Sequence, residues 1–168
     1  KYLKQDNPKF FHKILAEFGL IPSKILGTFI KHSFDGEIES GLGSSAACAV
    51  ALIGAINKIK GIQMTPPQIA EKAWDIEVNT CGLYGGRQDQ YAASFGGVNV
   101  FEFGSITSIT PLTQKFIENL YPSLVLFYLG TNRKSPIIQD GFKTLTTEQK
   151  DTLDEIKKLA LEGIKTIT

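Results

Sequence analysis

The sequence predicts a mixed α+β fold. Segments with helical apolar patterns and segments with strand-like patterns follow one another in an irregular order, which favours α+β over a doubly wound parallel sheet. The chain has 168 residues, 42% of them hydrophobic, which is enough for one well-packed core. No repeat, low-complexity tract or linker interrupts the sequence.

Helices are predicted at three places in the first half of the chain. Residues 6–18 combine a capping residue, a proline near the first turn and a helical apolar stripe. Residues 46–56 are small and apolar, as in a helix packed on most of its faces, and Gly61 is expected to end that helix. Residues 65–68 form a capping box with prolines in the first turn, and the helix that they open carries Glu77 near its end.

The remaining elements are two kinds of strand and a final helix. Residues 27–34 and 96–103 have strand-like patterns, and residues 122–129 are predicted to form a more buried strand. A capping-box pattern at residues 146–149 opens a charged amphipathic helix. Its predicted apolar face carries Leu153, Ile156, Leu159, Ala160 and Ile164.

Composition and charge narrow the classes of partner. The formal net charge of +1 gives no electrostatic reason to expect binding to nucleic acid or to a membrane surface. No apolar run reaches transmembrane length, and no secretory signal opens the chain. Cys48, inside an apolar helix, and Cys81, in a loop, are interpreted as a packing residue and a free thiol rather than a disulfide. A cytoplasmic location is therefore expected.

The segment Glu39-Ser-Gly-Leu-Gly-Ser-Ser-Ala-Ala47 is typical of a phosphate-binding loop. It runs into an apolar helix, whose first turn offers unpaired N–H groups and the positive end of the helix dipole. Gly41 and Gly43 let the backbone close on an anion, and Ser44 and Ser45 add hydroxyl groups, one of which can reach a metal ion.

The same segment has three other interpretations. Residues 41–46 fit a dinucleotide-binding fingerprint, but that motif follows a hydrophobic strand and meets an acid about twenty residues later, and neither feature is present. A Walker-type loop is excluded because the sequence has no match to its motif. A glycine and serine helix cap without a ligand would be favoured if the motif stood alone.

A second glycine-rich segment, Gly85-Gly-Arg-Gln-Asp-Gln-Tyr91, carries the acid Asp89 after two glycines, where a substrate could approach closely. Glu77 precedes Asp89 by twelve positions across a glycine-bearing loop, which can fold both carboxylates towards one site. A solvated surface acid is the alternative for Glu77. Together the two glycine-rich segments suggest a kinase.

These residues also carry a family resemblance. Residues 39–47 resemble the second signature motif of the GHMP kinases, the superfamily of galactokinase, homoserine kinase, mevalonate kinase and phosphomevalonate kinase. Glu77 and residues 85–99 resemble more narrowly the branch that phosphorylates sugars at the anomeric hydroxyl, above all the D-glycero-D-manno-heptose 7-phosphate kinases. Residues 127–135 are similar to a strand and loop of the same branch.

The resemblance implies a GHMP-kinase-like fold. Its N-terminal lobe, of the ribosomal protein S5 domain 2-like type, would span about residues 1–105, and the start of a C-terminal lobe would span about residues 106–168. The family's N-terminal motif and its C-terminal glycine-rich motif have no match in the sequence. The chain is therefore expected to be a central fragment, truncated at both ends.

The resemblance also implies a set of site residues for transfer of the γ-phosphoryl group of ATP to a sugar hydroxyl. Mg²⁺ would be held by Ser45 and Glu77, and Asp89 would accept or orient the hydroxyl proton. The nucleotide phosphates would lie on the backbone of Gly41, Leu42, Gly43, Ser44, Ser45 and Ala46. The sugar substrate would contact Gly85, Gly86, Arg87, Gln88 and Arg133.

Three charged residues in these segments bear on the assignment. Arg87 and Arg133 are the only arginines of the chain, and guanidinium groups suit phosphate binding, although an ordinary surface arginine is the alternative for Arg133. Arg87 stands where the family commonly has lysine, so the positive charge is kept. Glu39 stands where the family usually has a small residue, and its charge would disfavour a phosphate unless it points away.

Three functions follow as hypotheses. The first is a kinase for D-glycero-D-manno-heptose 7-phosphate or a related sugar, and the second is a fucokinase-like or other small-molecule kinase of the same fold. The third is a non-catalytic remnant or interaction module, which the missing end motifs favour and the retained Ser45, Glu77 and Asp89 oppose. The sequence assigns no oligomeric state.

Overall fold

The computed structural model describes residues 8–20, 41–83, 85–127 and 144–167. The described residues fall into two compact units, one that ends at Phe95 and one that begins at Gly96. Helices and a small antiparallel sheet make up these units, in agreement with the α+β class that the sequence predicts. The predicted strand at residues 27–34 lies outside the described residues.

The described residues of the first unit form four α-helices. They are α1 (Pro8–Glu17), α2 (Ser44–Lys60), α3 (Pro66–Asp75) and α4 (Gln88–Phe95), and α3 continues directly into a π-helical turn at Ile76–Thr80. Their buried apolar side chains form one core: Phe10, Ile14, Leu15, Ala49, Ile53, Ile56, Ala73 and Ile76. The core therefore joins α1, α2 and the end of α3.

The predicted end of α2 and the predicted start of α3 are confirmed. Gly61 terminates α2 in the left-handed conformation, with φ 66°, which costs a glycine little because it has no Cβ. At the start of α3, the backbone N–H of Thr65 donates to Gln68 Oε1 over 2.8 Å. Pro66 and Pro67 come next in the first turn, where a missing N–H group leaves no helical bond unmade. Both signals are local and do not depend on tertiary packing.

The second unit begins with a hairpin of β1 (Asn99–Glu102) and β2 (Ser108–Pro111). The strands are antiparallel, and Phe101 stands opposite Ile109. The predicted strand at residues 96–103 is shorter in the structure because Gly96 and Gly97 both have positive φ angles, 64° and 65°. Extended backbone can start only after them.

The prediction of a buried strand at residues 122–129 is wrong for its described part. Helix α5 (Gln114–Leu120) runs into a 3₁₀ turn at Tyr121–Ser123, and residues 124–127 have no regular structure and are exposed. Pro122 is the second residue of this 3₁₀ turn, and its ring fixes a φ angle that suits that position. A buried strand also needs a neighbouring strand, and within the described ranges none pairs with residues 124–127.

The last helix, α6 (Thr147–Ile167), begins as predicted. Thr146 and Gln149 form a reciprocal capping box, in which Thr146 N–H donates to Gln149 Oε1 over 2.9 Å and Gln149 N–H donates to Thr146 Oγ1 over 3.2 Å. Leu153, Ile156 and Leu159, on the predicted apolar face, are exposed. Of the helices in the described ranges, none is both long and apolar enough to cross a bilayer.

Candidate active site

The first wall of the candidate site is the loop at residues 41–43 with the start of α2. Gly41 and Gly43 adopt positive φ angles of 79° and 69°, and Gly43 is the N-cap of α2. Because this N-cap has no side chain, no side-chain oxygen caps the first turn. The N–H groups of Ser44, Ser45 and Ala46 belong to that turn and have no carbonyl four residues earlier within the helix. The loop thus has the geometry that binds anions.

Ser45 lies on this first turn and contacts Glu77. The hydroxyl group of Ser45 donates to Glu77 Oε1 over 3.1 Å. The other carboxylate oxygen, Glu77 Oε2, accepts a bond from Gln90 Nε2 over 2.6 Å. The two bonds fix the plane of the Glu77 carboxylate between α2 and α4.

Glu77 owes its position to the π-helical turn that follows α3. In this turn Cys81 N–H bonds to Ile76 O over 2.8 Å, five residues back, so the backbone is wider than in an α-helix. The sequence predicts a helix end near Glu77, whereas the helix continues to Thr80 in this wider form. Turns of this kind occur frequently at functional sites.

The environment of Glu77 disfavours its charge. Burial raises the pKa of its carboxyl group, the bonds from Gln90 and Ser45 act in the opposite direction, and the negative charge of Asp89 raises the pKa further. No lysine or arginine within the described ranges forms an ion pair with Glu77. A bound cation would therefore stabilise the ionised form of this carboxylate.

Asp89 forms the opposite side of the site. It lies in the first turn of α4 and is exposed. A Cβ atom placed on Gly43 would lie 3.4 Å from Asp89 Cγ and 3.5 Å from Asp89 Oδ2. The carboxylate therefore faces the glycine loop at close range, and only the absence of a side chain at position 43 leaves space between them.

The segment that leads into α4 is attached to α3. Trp74 Nε1 donates to Gly85 O over 3.1 Å, and the Arg87 guanidinium lies over the Trp74 ring, 4.1 Å from its centroid. Arg87 Nε also donates to Glu71 Oε2 over 3.2 Å. Gly86 packs against Gln88, so that a side chain at position 86 would overlap Gln88 Oε1. These contacts give the loop a defined path.

The oxygen groups of the site fit a magnesium ion. Mg²⁺ prefers oxygen ligands, is commonly held by one or two protein groups with phosphates and waters, and binds at about 2.0–2.1 Å in octahedral geometry, which places adjacent ligands about 3 Å apart. Ser45 Oγ and Glu77 Oε1 are 3.1 Å apart. Among the described residues no group of three or more His, Cys, Asp or Glu side chains could hold a metal ion by itself.

The structure brings together Gly43, Ser45, Glu77 and Asp89, which the sequence placed in one site, and their roles stay predictions. Arg133 lies outside the described residues. Leu42 is an exposed loop residue, and Gln88 begins α4 with an exposed side chain.

The sequence did not predict two side chains that contact residues of the site, Gln90 and Glu71. Gln90 could have been noticed as the amide directly after Asp89, whereas nothing in the pattern identifies Glu71.

Comparison with known proteins supports a kinase fold for this site. A family model described as the GHMP kinases N terminal domain matches residues 9–97. The chain is 29% identical over 160 residues to D-glycero-alpha-D-manno-heptose 7-phosphate kinase of Campylobacter jejuni, an alignment that covers 92% of this chain and 46% of that protein. It is 36% identical over 72 residues to mevalonate kinase of Thermococcus sibiricus, covering 43% of this chain and 21% of the relative.

A solved structure has a similar fold. It is a crystal structure of a Campylobacter jejuni protein proposed to be a sugar kinase, with a TM-score of 0.51 and 30% sequence identity. The match covers 67% of this chain and 35% of the other. The chain thus spans about half the length, or less, of the proteins that it matches.

Proposed function

The chain belongs to the GHMP kinases, and from this premise we propose that it acts in an ATP-dependent sugar kinase whose acceptor is D-glycero-D-manno-heptose 7-phosphate. The observation that carries the proposal is the convergence of Ser45, Glu77 and Asp89 beside Gly43 at the start of α2. The relative that aligns along 92% of the chain has this activity in its name.

Each residue has a distinct task in the proposal. The N–H groups of residues 44–46 hold the nucleotide phosphates, because the first turn of α2 is uncapped by side chains. Ser45 and Glu77 hold the metal ion through oxygen atoms. Asp89 accepts the proton of the sugar hydroxyl as its oxygen attacks the γ-phosphorus and ADP leaves.

ATP would supply the transferable phosphoryl group, and Mg²⁺ would offset its negative charge. The protein contributes mainly position and electrostatics. Asp89 is suited to its task by its location, because its carboxylate faces the loop on which the phosphates would lie. Gly85, Gly86 and Gln88 border the same segment and are proposed to line the sugar pocket, with Arg133 at the substrate phosphate.

Two wider assignments accompany this proposal. The free thiols of Cys48 and Cys81 fit a reducing compartment, and we place the protein in the cytoplasm. The mevalonate kinase relatives align at 36% and 38% identity over 72 and 77 residues, which favours testing other small-molecule acceptors as a second candidate.

The test is Asp89→Asn in the full-length protein, assayed for ATP-dependent phosphorylation of D-glycero-D-manno-heptose 7-phosphate. The substitution keeps the size of the side chain and removes the base. Turnover is expected to fall by about 10² to 10⁴, with ATP affinity nearly unchanged. Asp154→Asn, an exposed site on α6, is the matched control and should have wild-type turnover.

Fucose, galactose and mevalonate serve as comparison acceptors. Activity confined to one of them would move the assignment to another kinase of the family. Unchanged turnover in Asp89→Asn would remove Asp89 as the base. A wild-type protein that binds ATP but phosphorylates no acceptor would instead support the non-catalytic hypothesis.

A further inference from the structure

Glu71 lies on α3, outside the set of predicted site residues, yet its carboxylate binds two residues that flank Asp89. Glu71 Oε2 accepts from Arg87 Nε over 3.2 Å, and Glu71 Oε1 accepts from Tyr91 Oη over 2.7 Å. Arg87 precedes Asp89 by two positions, and Tyr91 follows it by two. One carboxylate therefore binds the side chains of residues on both sides of the proposed base.

Further contacts orient the same segment. The Arg87 guanidinium lies over Trp74, and Trp74 in turn binds the carbonyl oxygen of Gly85. The side chain of Tyr91 is buried, with 2% of its surface exposed, so its hydroxyl group is shielded from water where it donates to Glu71. The guanidinium group is thus engaged by α3 and does not need a substrate to order it.

We propose that Glu71 is a positioning residue for Asp89, acting through Arg87 and Tyr91 to hold the first turn of α4 at a fixed distance from the glycine loop. This inference rests on the proposed function, because it concerns the placement of the proposed base. The distance between Asp89 and Gly43 is close enough that a shift of about 1 Å in the first turn of α4 matters, and misplacement of that size can lower a rate by about 10².

The proposal gives Arg87 a role other than contact with the substrate. If Arg87 bound the phosphate of the acceptor, its substitution would mainly raise the KM for that acceptor. If it acts with Glu71, the substitution lowers kcat and leaves KM nearly unchanged. The two roles therefore separate in steady-state kinetics.

The experiment compares Glu71→Gln and Tyr91→Phe with Glu17→Gln in the full-length protein. Glu17 also pairs with α3, through Lys72 at 2.7 Å, and has a similar exposure to Glu71, but it does not contact the segment around Asp89. Tyr91→Phe removes only the hydroxyl group and keeps the ring, which stacks on Phe95. We measure kcat and KM for both substrates together with thermal unfolding.

Glu71→Gln and Tyr91→Phe are expected to lower kcat by about tenfold or more while changing KM by less than about threefold. Glu17→Gln should keep the wild-type kcat. Arg87→Met should follow the same pattern as Glu71→Gln, and a KM for the sugar phosphate raised tenfold without loss of kcat would overturn the positioning role of Arg87. Should Glu71→Gln fail to fold, Tyr91→Phe decides the result alone.

An equal loss of kcat in Glu17→Gln and Glu71→Gln would overturn the inference, because it would indicate a general effect of loosening α3. Wild-type kcat in both Glu71→Gln and Tyr91→Phe would overturn it as well. Inactivity of the wild-type protein towards every acceptor would count against the proposed function instead, so the two failures are distinguishable.

Discussion

Gly43→Ala is the substitution whose effect follows most directly from the structure. The residue has φ 69°, in the left-handed region, which costs an alanine about 1–2 kcal/mol. Replacing glycine also lowers the conformational entropy of the unfolded chain, which offsets about 0.4–1 kcal/mol of this loss of stability. The expected net loss in the free energy of unfolding is therefore about 1 kcal/mol, or a decrease in Tm of about 2–4 °C for a domain of this size.

The new methyl group would have a second effect, on the site. It would lie 3.4–3.6 Å from three atoms of Asp89, which is ordinary contact rather than overlap. The fold should tolerate it, but the methyl group occupies the space between the loop and the carboxylate that the reacting groups need. Turnover is expected to fall by about 10 to 100-fold.

Gly61→Ala is the matched control. Gly61 has nearly the same backbone conformation, φ 66°, and a Cβ atom there would meet nothing within 4 Å. Both variants should lose similar stability in calorimetric or denaturant unfolding, whereas only Gly43→Ala should lose phosphorylation activity in the full-length protein. Equal turnover in the two variants would refute the conclusion that Gly43 and Asp89 border one reaction space.

Three further outcomes are expected. Ser45→Ala removes one of the two oxygen groups proposed to hold Mg²⁺. In calorimetric titrations, the increase in nucleotide affinity on adding Mg²⁺ should therefore be about tenfold smaller than in the wild type. An unchanged increase would contradict the role of Ser45 as a metal ligand. Burial raises the pKa of Cys48 to about 11. At about pH 8 the Cys48 thiol should therefore react with iodoacetamide far more slowly than the thiol of the half-buried Cys81, as measured by peptide mass spectrometry. Comparable reaction rates of the two thiols would be inconsistent with the packing of α2. Burial raises the folded pKa of Glu77, so the stability that its protonation contributes is full below the unfolded pKa and is lost as the pH rises above it. Glu77→Gln should therefore gain stability relative to wild type as the pH rises from about 4, near the ordinary pKa of glutamate, and a pH-independent difference would contradict this.

The parts of the site that the sequence predicted depend on local chemistry. The spacing of Gly41 and Gly43 before an apolar helix indicates an uncapped first turn, and the structure has one. Likewise Gly61 and the box at Thr65 mark helix ends through interactions within a few residues. Such interactions are encoded by neighbours in the chain and need no knowledge of packing.

The parts that the sequence did not predict depend on contacts between distant residues. Glu71 binds Tyr91 across twenty positions, and Gln90 binds Glu77 across thirteen. Polar side chains on separate helices follow no periodic sequence pattern from which such hydrogen-bonded pairs could be predicted. The error at residues 122–129 has a related cause, because a short apolar run does not specify whether a strand partner is present.

The wide turn at Ile76–Thr80 has a consequence for insertions and deletions. Removing one residue from it would allow ordinary α-helical bonding, which rotates the downstream chain by about 100° and shortens the path by about 1.5 Å per residue. The chain that leads from Glu77 to Asp89 would then start in the wrong direction. By contrast, the connection between β1 and β2 is exposed at residues 103–106, and changes of length there should be far better tolerated. Homologous chains should therefore vary in length at the hairpin and keep the spacing of the turn.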